Sequence, residues 1–121
     1  MDVLVPVAHG SESLETVALV NVLRRASIRV SMASVEAETV INATRELRIV
    51  ADAPLSEVLE RDFDAIILPG GELGSQRLAK CEALIRKLAA QRVAHRWYGA
   101  ICAAPALTLS PHGLLDGKQA T

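Results

Sequence analysis

Cys102 stands in Gly99-Ala100-Ile101-Cys102-Ala103-Ala104-Pro105, with small residues on both sides. It follows the apolar pair Trp97-Tyr98 and precedes a stretch, Ala103 to Leu109, that reads as a helix. A thiol at such a strand-to-helix elbow faces the unpaired N–H groups and partial positive charge of the helix start. That environment lowers a cysteine pKa from about 8.5 toward or below 7, which would make Cys102 a nucleophile. Gly70-Gly71 can bring bare backbone amides up to a ligand, and with the amide of Ala103 they could form an oxyanion hole. Glu15, early in a predicted helix, would favour its protonated form beside a thiolate and act as general acid and base. His9 ends the first apolar run and is a candidate ligand contact, whereas His95 and His112 read as surface or loop residues.

Each of these residues also has a plainer reading. A free cysteine is commonly buried and inert. A glycine pair after a strand is commonly an ordinary turn, and a glutamate in a first helical turn commonly serves the dipole from solvent. Gly70, Gly71 and Gly74 do not match G-x-G-x-x-G, no Walker sequence is present, and no His, Cys or acid spacing suggests a metal site.

The elements that must position these groups follow from periodicity. Val3 to Ala8 is a continuous apolar run and reads as a buried strand, although Pro6 removes one ladder donor and argues against a central position. Ser11 to Ala26 reads as a helix capped by Ser11, with Glu12 and Glu15 in its first turns. Its apolar residues, Leu14 to Leu23, cover more than one stripe, so it is expected to be covered on two sides. Ile28 to Val35 and the shorter Leu47 to Val50 read as strands, with Glu36 to Glu46 an exposed connection or small hairpin. Phe63 to Leu68 is a clear strand running into the turn Pro69-Gly70-Gly71. Cys81 to Val93 reads as an amphipathic helix with Leu84, Ile85, Leu88 and Ala89 inward and Arg86, Lys87, Gln91 and Arg92 outward. Strands alternating with helices imply an α/β fold with a largely parallel sheet. Three strand ends, at His9-Gly10, at Pro69-Gly70-Gly71 and at Cys102, then converge on one edge, where such sheets form sites.

Composition narrows the function. The 121 residues fit a single domain spanning 1–121, half apolar, with Phe63, Trp97 and Tyr98 the only aromatics. An aliphatic core and a net charge of -1 argue against binding to nucleic acid or acidic membranes. The apolar runs are too short for a membrane span, and Met1-Asp2-Val3 does not open a signal peptide. Two cysteines without CxxC spacing, Cys81 and Cys102, fit a reducing, cytoplasmic compartment.

Ala100-Ile101-Cys102-Ala103-Ala104-Pro105, Leu68-Pro69-Gly70-Gly71-Glu72-Leu73-Gly74 and Gly10-Ser11-Glu12-Ser13-Leu14-Glu15-Thr16 together resemble the ThiJ/PfpI superfamily, in the subgroup of the parkinsonism-associated protein. The resemblance implies a flavodoxin-like three-layer sandwich, a homodimer formed through the first helix, and no cofactor. It makes Cys102 the nucleophile or redox-sensing thiol, Glu15 its protonated partner, and Gly71 and Ala103 the oxyanion donors. Arg45, in Thr44-Arg45-Glu46, matches an arginine that approaches the partner subunit's site. Protease-like members carry a histidine directly after the cysteine; Ala103 stands there instead, so a PfpI-type peptidase is not expected. Family members also continue for roughly another third of a domain. The resemblance therefore implies further strands, a final helix and a histidine just after Thr121, on a C-terminal fragment or a second chain. The activity it implies is glyoxalase or deglycase chemistry on methylglyoxal and related small dicarbonyls. The alternative is a dimeric redox-sensing stress protein or chaperone with an oxidisable cysteine.

Overall fold

Val3, Val5 and Val7 point to one face of the first strand and Leu4 and Ala8 to the other, and all five are buried. A strand buried on both faces belongs in the middle of a parallel sheet. In the computed structural model, which describes residues Met1–Thr121, this strand, β1 (Asp2–Val7), is the centre of a five-stranded sheet. The other strands are β2 (Arg29–Ser34), β5 (Ala53–Pro54), β6 (Ala65–Leu68) and β7 (Trp97–Ala100), in the order β5-β2-β1-β6-β7. Every pairing in it is parallel. Pro6 is accommodated in the central strand because β6 pairs only with Val3 and Leu4, so no ladder with β6 extends to Pro6.

Helix α1 (Ser13–Arg25) covers the valine face, where Val20 packs with Val3, Val5, Val7 and Met32. Helices α2 (Glu72–Ala79) and α3 (Glu82–Val93) cover the other, where Leu78, Leu84 and Leu88 pack with Leu4, Phe63, Ile66 and Leu68. The result is the expected α/β three-layer arrangement around a mostly parallel sheet. Burying each such aliphatic side chain contributes about 1.5–3 kcal/mol. No helix is long and apolar enough to cross a membrane.

Several elements depart from the sequence reading. Ser11 does not cap α1; it is buried, and its Oγ accepts from the amide of Ala8. Glu12 is the cap, its Oε2 accepting from the amides of Leu14 and Glu15. The strand near Leu47 is β4 (Arg48–Val50), and it lies outside the main sheet, paired antiparallel with β3 (Val40–Asn42). Arg45 and Glu46, at the tip of that hairpin, both take left-handed backbone (φ 59° and 61°), the geometry of a tight two-residue hairpin loop. Gln91 faces inward, not outward, and donates to the carbonyl of Trp97, while Ala89 is exposed. Arg92 is half-buried because its guanidinium ties the carbonyls of Gly113 and Asp116 to α3. The predicted helix after Cys102 is a single wide turn, Pro105–Leu109, continued by Ser110–His112.

Candidate active site

The chain runs from β1 to β2 on one side, then crosses to β6 on the other. The switch point therefore lies outside the carboxyl ends of β1 and β6, which is where open α/β sheets bind ligands. Two loops meet there. The amide of Glu12 donates to the carbonyl of Gly70 at 2.9 Å, joining the segment after β1 to the turn after β6. The amide of Gly70 donates to Glu15 Oε2 at 2.7 Å. Cys102 enters from the end of β7 on a left-handed backbone, φ 59°. That conformation costs a non-glycine residue about 1–3 kcal/mol and is characteristic of a strained elbow that presents a side chain.

Gly70 lies between Glu15 and Cys102. A Cβ built on it would stand 2.5 Å from Glu15 Oε2, 2.6 Å from Cys102 Cβ and 3.0 Å from the carbonyl oxygen of Ile101. The carboxyl group and the cysteine thus flank one hydrogen-sized gap. Glu15 is half-buried and Cys102 is exposed. The amides of Gly71 and Ala103 give no hydrogen bond within the chain, whereas that of Gly70 is already taken by Glu15. Gly71 has φ +91°, and a side chain there would run into the backbone of Gly10 and Glu12, so its position is fixed by glycine.

The three motifs that carried the resemblance are therefore adjacent in space. All of residues 1–121 match the family model described as the DJ-1/PfpI family. The chain belongs to the DJ-1/PfpI family. It is 47% identical over 98% of its length to Protein DJ-1 homolog A of Arabidopsis thaliana, spanning 30% of that protein. It is 35% identical over 88% of its length to a Caenorhabditis elegans protein named glutathione-independent glyoxalase DJR-1.2, spanning 56% of it. Among solved structures, oxidized Toxoplasma gondii DJ-1 matches with a TM-score of 0.97 at 40% identity, over 99% of this chain and 65% of that one. The chain spans less than two thirds of each of these relatives.

Other candidate residues lie further out. His9 accepts the amide N–H of Asn42 at Nδ1 (3.0 Å), which places its ring proton on Nε2, 3.6 Å from Glu38 Oε2. It thereby fastens the hairpin to β1 and turns toward Glu36 and Glu38. Arg45 is exposed at the hairpin tip. His95 and His112 are exposed, and Cys81 is half-buried at the start of α3. No group of three or more His, Cys, Asp or Glu side chains is arranged to hold a metal ion.

Sequence reasoning did not single out Thr44, or the second carboxylate contact of Glu12 that it makes. Thr44 Oγ1 donates to Glu12 Oε1 at 2.9 Å. The signal available was a glutamate in a capping position, where shorter side chains are preferred.

Glu36 braces the same edge. Its carboxylate, with a side chain only 9% exposed, takes both Nε and Nη2 of Arg77 at 2.5 Å and the amide of His9 at 3.2 Å. The Arg77 guanidinium is the main reason the Glu36 carboxyl is held below the usual glutamate range. A depressed folded pKa contributes stability that is present above the unfolded value of about 4.3 and lost as pH falls through the folded one. Glu36→Gln is therefore expected to lower Tm at pH 7 and to flatten the acid limb of Tm against pH below that value. Thermal melts from pH 3 to 7 check this; an acid limb as steep as in the wild type would show that the pair does not contribute.

Proposed function

We propose that the protein is a cofactor-independent thiol enzyme that converts methylglyoxal and related small dicarbonyls to hydroxy acids. The observation that carries this reading is the convergence of Glu15 and Cys102 on either side of Gly70. The family, and a relative named as a glutathione-independent glyoxalase, support it.

In this reaction the Cys102 thiolate adds to the aldehyde carbon, and the new oxyanion takes a proton from water to give a hemithioacetal. Glu15 takes the proton from that carbon and returns one to the neighbouring ketone carbon, while the hemithioacetal hydroxyl proton passes to the ketone oxygen. The hemithioacetal carbon is thereby oxidised and the ketone reduced, with no external oxidant. Water then hydrolyses the thioester, releasing lactate and regenerating the thiol. Glu15 suits this role because Gly70 orients Oε2 by its amide while Oε1 is left without a partner in the chain. The amides of Gly71 and Ala103 supply donors to the oxyanion. A second copy docks on α1, whose Leu14, Val17 and Val22 are apolar and exposed.

The test is methylglyoxal loss and lactate formation by the intact protein without added thiol. Glu15→Ala is expected to lower kcat by about 10²-fold or more, the usual worth of a positioned acid–base group. Full turnover by that variant would overturn the reading.

The exposure of Cys102 favours a second reading, a redox-sensing thiol oxidised by peroxide. Peroxide-dependent protection of client proteins without dicarbonyl turnover would select it over the first.

A further inference from the structure

Glutamate is a poor choice for a helix cap if capping is its whole task, because Asp, Asn, Ser and Thr reach the first-turn amides with less freedom to lose. Glu12 nevertheless caps α1 with Oε2, at 2.6 Å from the amide of Leu14 and 3.4 Å from that of Glu15. Its extra length lets the other oxygen leave the helix and meet the hairpin, where Thr44 Oγ1 donates to Oε1. Thr44 spends its one proton on that bond, so Ser13 Oγ, 3.2 Å away, must donate to Thr44 Oγ1. The amide of Ser13 also donates to Thr44 Oγ1 at 2.9 Å, and the amide of Thr44 donates to the carbonyl of Ser11 at 3.0 Å. The hairpin tip is thus tied to every residue from Ser11 to Ser13.

The same glutamate closes a ring through the site. Its amide donates to the carbonyl of Gly70, the amide of Gly70 donates to Glu15 Oε2, and the amide of Glu15 donates back to Glu12 Oε2. We propose that Glu12 is a positioning residue that, held by Thr44 of the hairpin, keeps the Glu15 carboxyl seated on Gly70 opposite Cys102. Glu12 touches neither the thiol nor the gap beside it and acts through Glu15. The bond from Thr44 is the largest influence holding the Glu12 carboxyl below the usual glutamate range, so it stays an acceptor of all three bonds into more acidic solution than an ordinary glutamate would. The relay rests on the thiol–carboxyl reading above for its consequence in turnover, but not for its geometry. It also gives the hairpin that carries Arg45 a physical route to Glu15: whatever shifts the tip shifts the cap.

Two variants separate positioning from capping. Glu12→Asp keeps a good cap but is one methylene too short to reach Thr44 as well, and Thr44→Val removes the tie while leaving Glu12 intact. The amide of Gly70 has Glu15 as its partner, so its hydrogen exchange, read by NMR in the intact protein, reports whether the carboxyl is seated. Both variants are expected to speed Gly70 exchange about tenfold or more, toward the rate in Glu15→Ala, while the amides of β1 keep their protection. Methylglyoxal kcat is expected to fall by about tenfold or more with KM unchanged, as small misplacements of a reacting group do. Unchanged Gly70 exchange in both variants would overturn the proposal, as would an equal loss of protection across β1, which marks general destabilisation. A wild-type protein without turnover, in which Gly70 exchange still responds, supports the relay while removing the glyoxalase reading.

Discussion

Cys102→Ser is expected to reduce methylglyoxal turnover by at least about 10³-fold, the scale on which losing a nucleophile acts. Serine is close in shape to cysteine and can be held in the same left-handed elbow, φ 59°, by the surrounding chain. Tm should therefore change little, and lost turnover can be assigned to lost chemistry. The hydroxyl fails because an alcohol is far less acidic than a thiol, and a carboxylate such as Glu15, the carboxyl flanking the gap, is too weak a base to ionise it. A thiol needs no stronger base, since a useful fraction is thiolate near neutral pH. Cys81 provides the internal control. It is half-buried at the start of α3 and belongs to the core around Leu84, so Cys81→Ser should leave turnover intact. The measurement is lactate formation alongside iodoacetamide labelling of each cysteine by peptide mass. Undiminished turnover by Cys102→Ser would end the thiol mechanism.

What the sequence revealed of this site is what local pattern can carry. β1 and β6 are legible because their runs of Val, Leu and Ile have no polar interruption, and α1 because its apolar residues exceed one stripe. Cys102 is legible because an elbow needs small neighbours, and Gly70-Gly71 because a strand ends on them. The parts that escaped depend on partners far along the chain. β5 is two residues, Ala53–Pro54, defined only by lying against Ala33 and Ser34. α2 is short, and Gly74 and Ser75 interrupt its helix-forming residues and hide them from a periodicity reading. It exists because Gly74 lets its first turn press onto Ser11, where a Cβ would stand 2.5 Å from the amide nitrogen. Gln91 looked like an outward residue until the carbonyl of Trp97 gave it a partner. The cap passed from Ser11 to Glu12 for the same reason, since what decides it is Thr44, 32 positions away.

Gly70→Ala is the substitution that tests the arrangement itself. No positive φ constrains Gly70, so alanine can take its backbone conformation, and the objection to it is purely one of space. A methyl group there would need room from Glu15 Oε2 at 2.5 Å and from Cys102 Cβ at 2.6 Å. The Cβ of Cys102 is fixed to the elbow, whereas the carboxyl is the far end of a flexible side chain. The carboxyl therefore yields readily, while the contact with Cys102 Cβ is relieved only if the elbow shifts as well. The carboxyl loses the Gly70 amide and moves away from the thiol, and the expected result is a fall in kcat of about 10²-fold, as for other displacements of a reacting group by about an ångström. Cys102 should remain open to iodoacetamide, because the thiol itself is not covered. Gly71→Ala would not make this test, since φ +91° and contact with the backbone of Gly10 would disrupt the turn as a whole. Gly99→Ala is the matching control: its methyl would meet only Ile67 Cδ1, at an ordinary 3.5 Å, and turnover should persist. If Gly70→Ala keeps wild-type kcat while folding normally, the close approach of Glu15 to Cys102 is packing rather than catalysis. If activity falls and Gly99→Ala does not follow, the gap at Gly70 is where the proton and the thiol must meet.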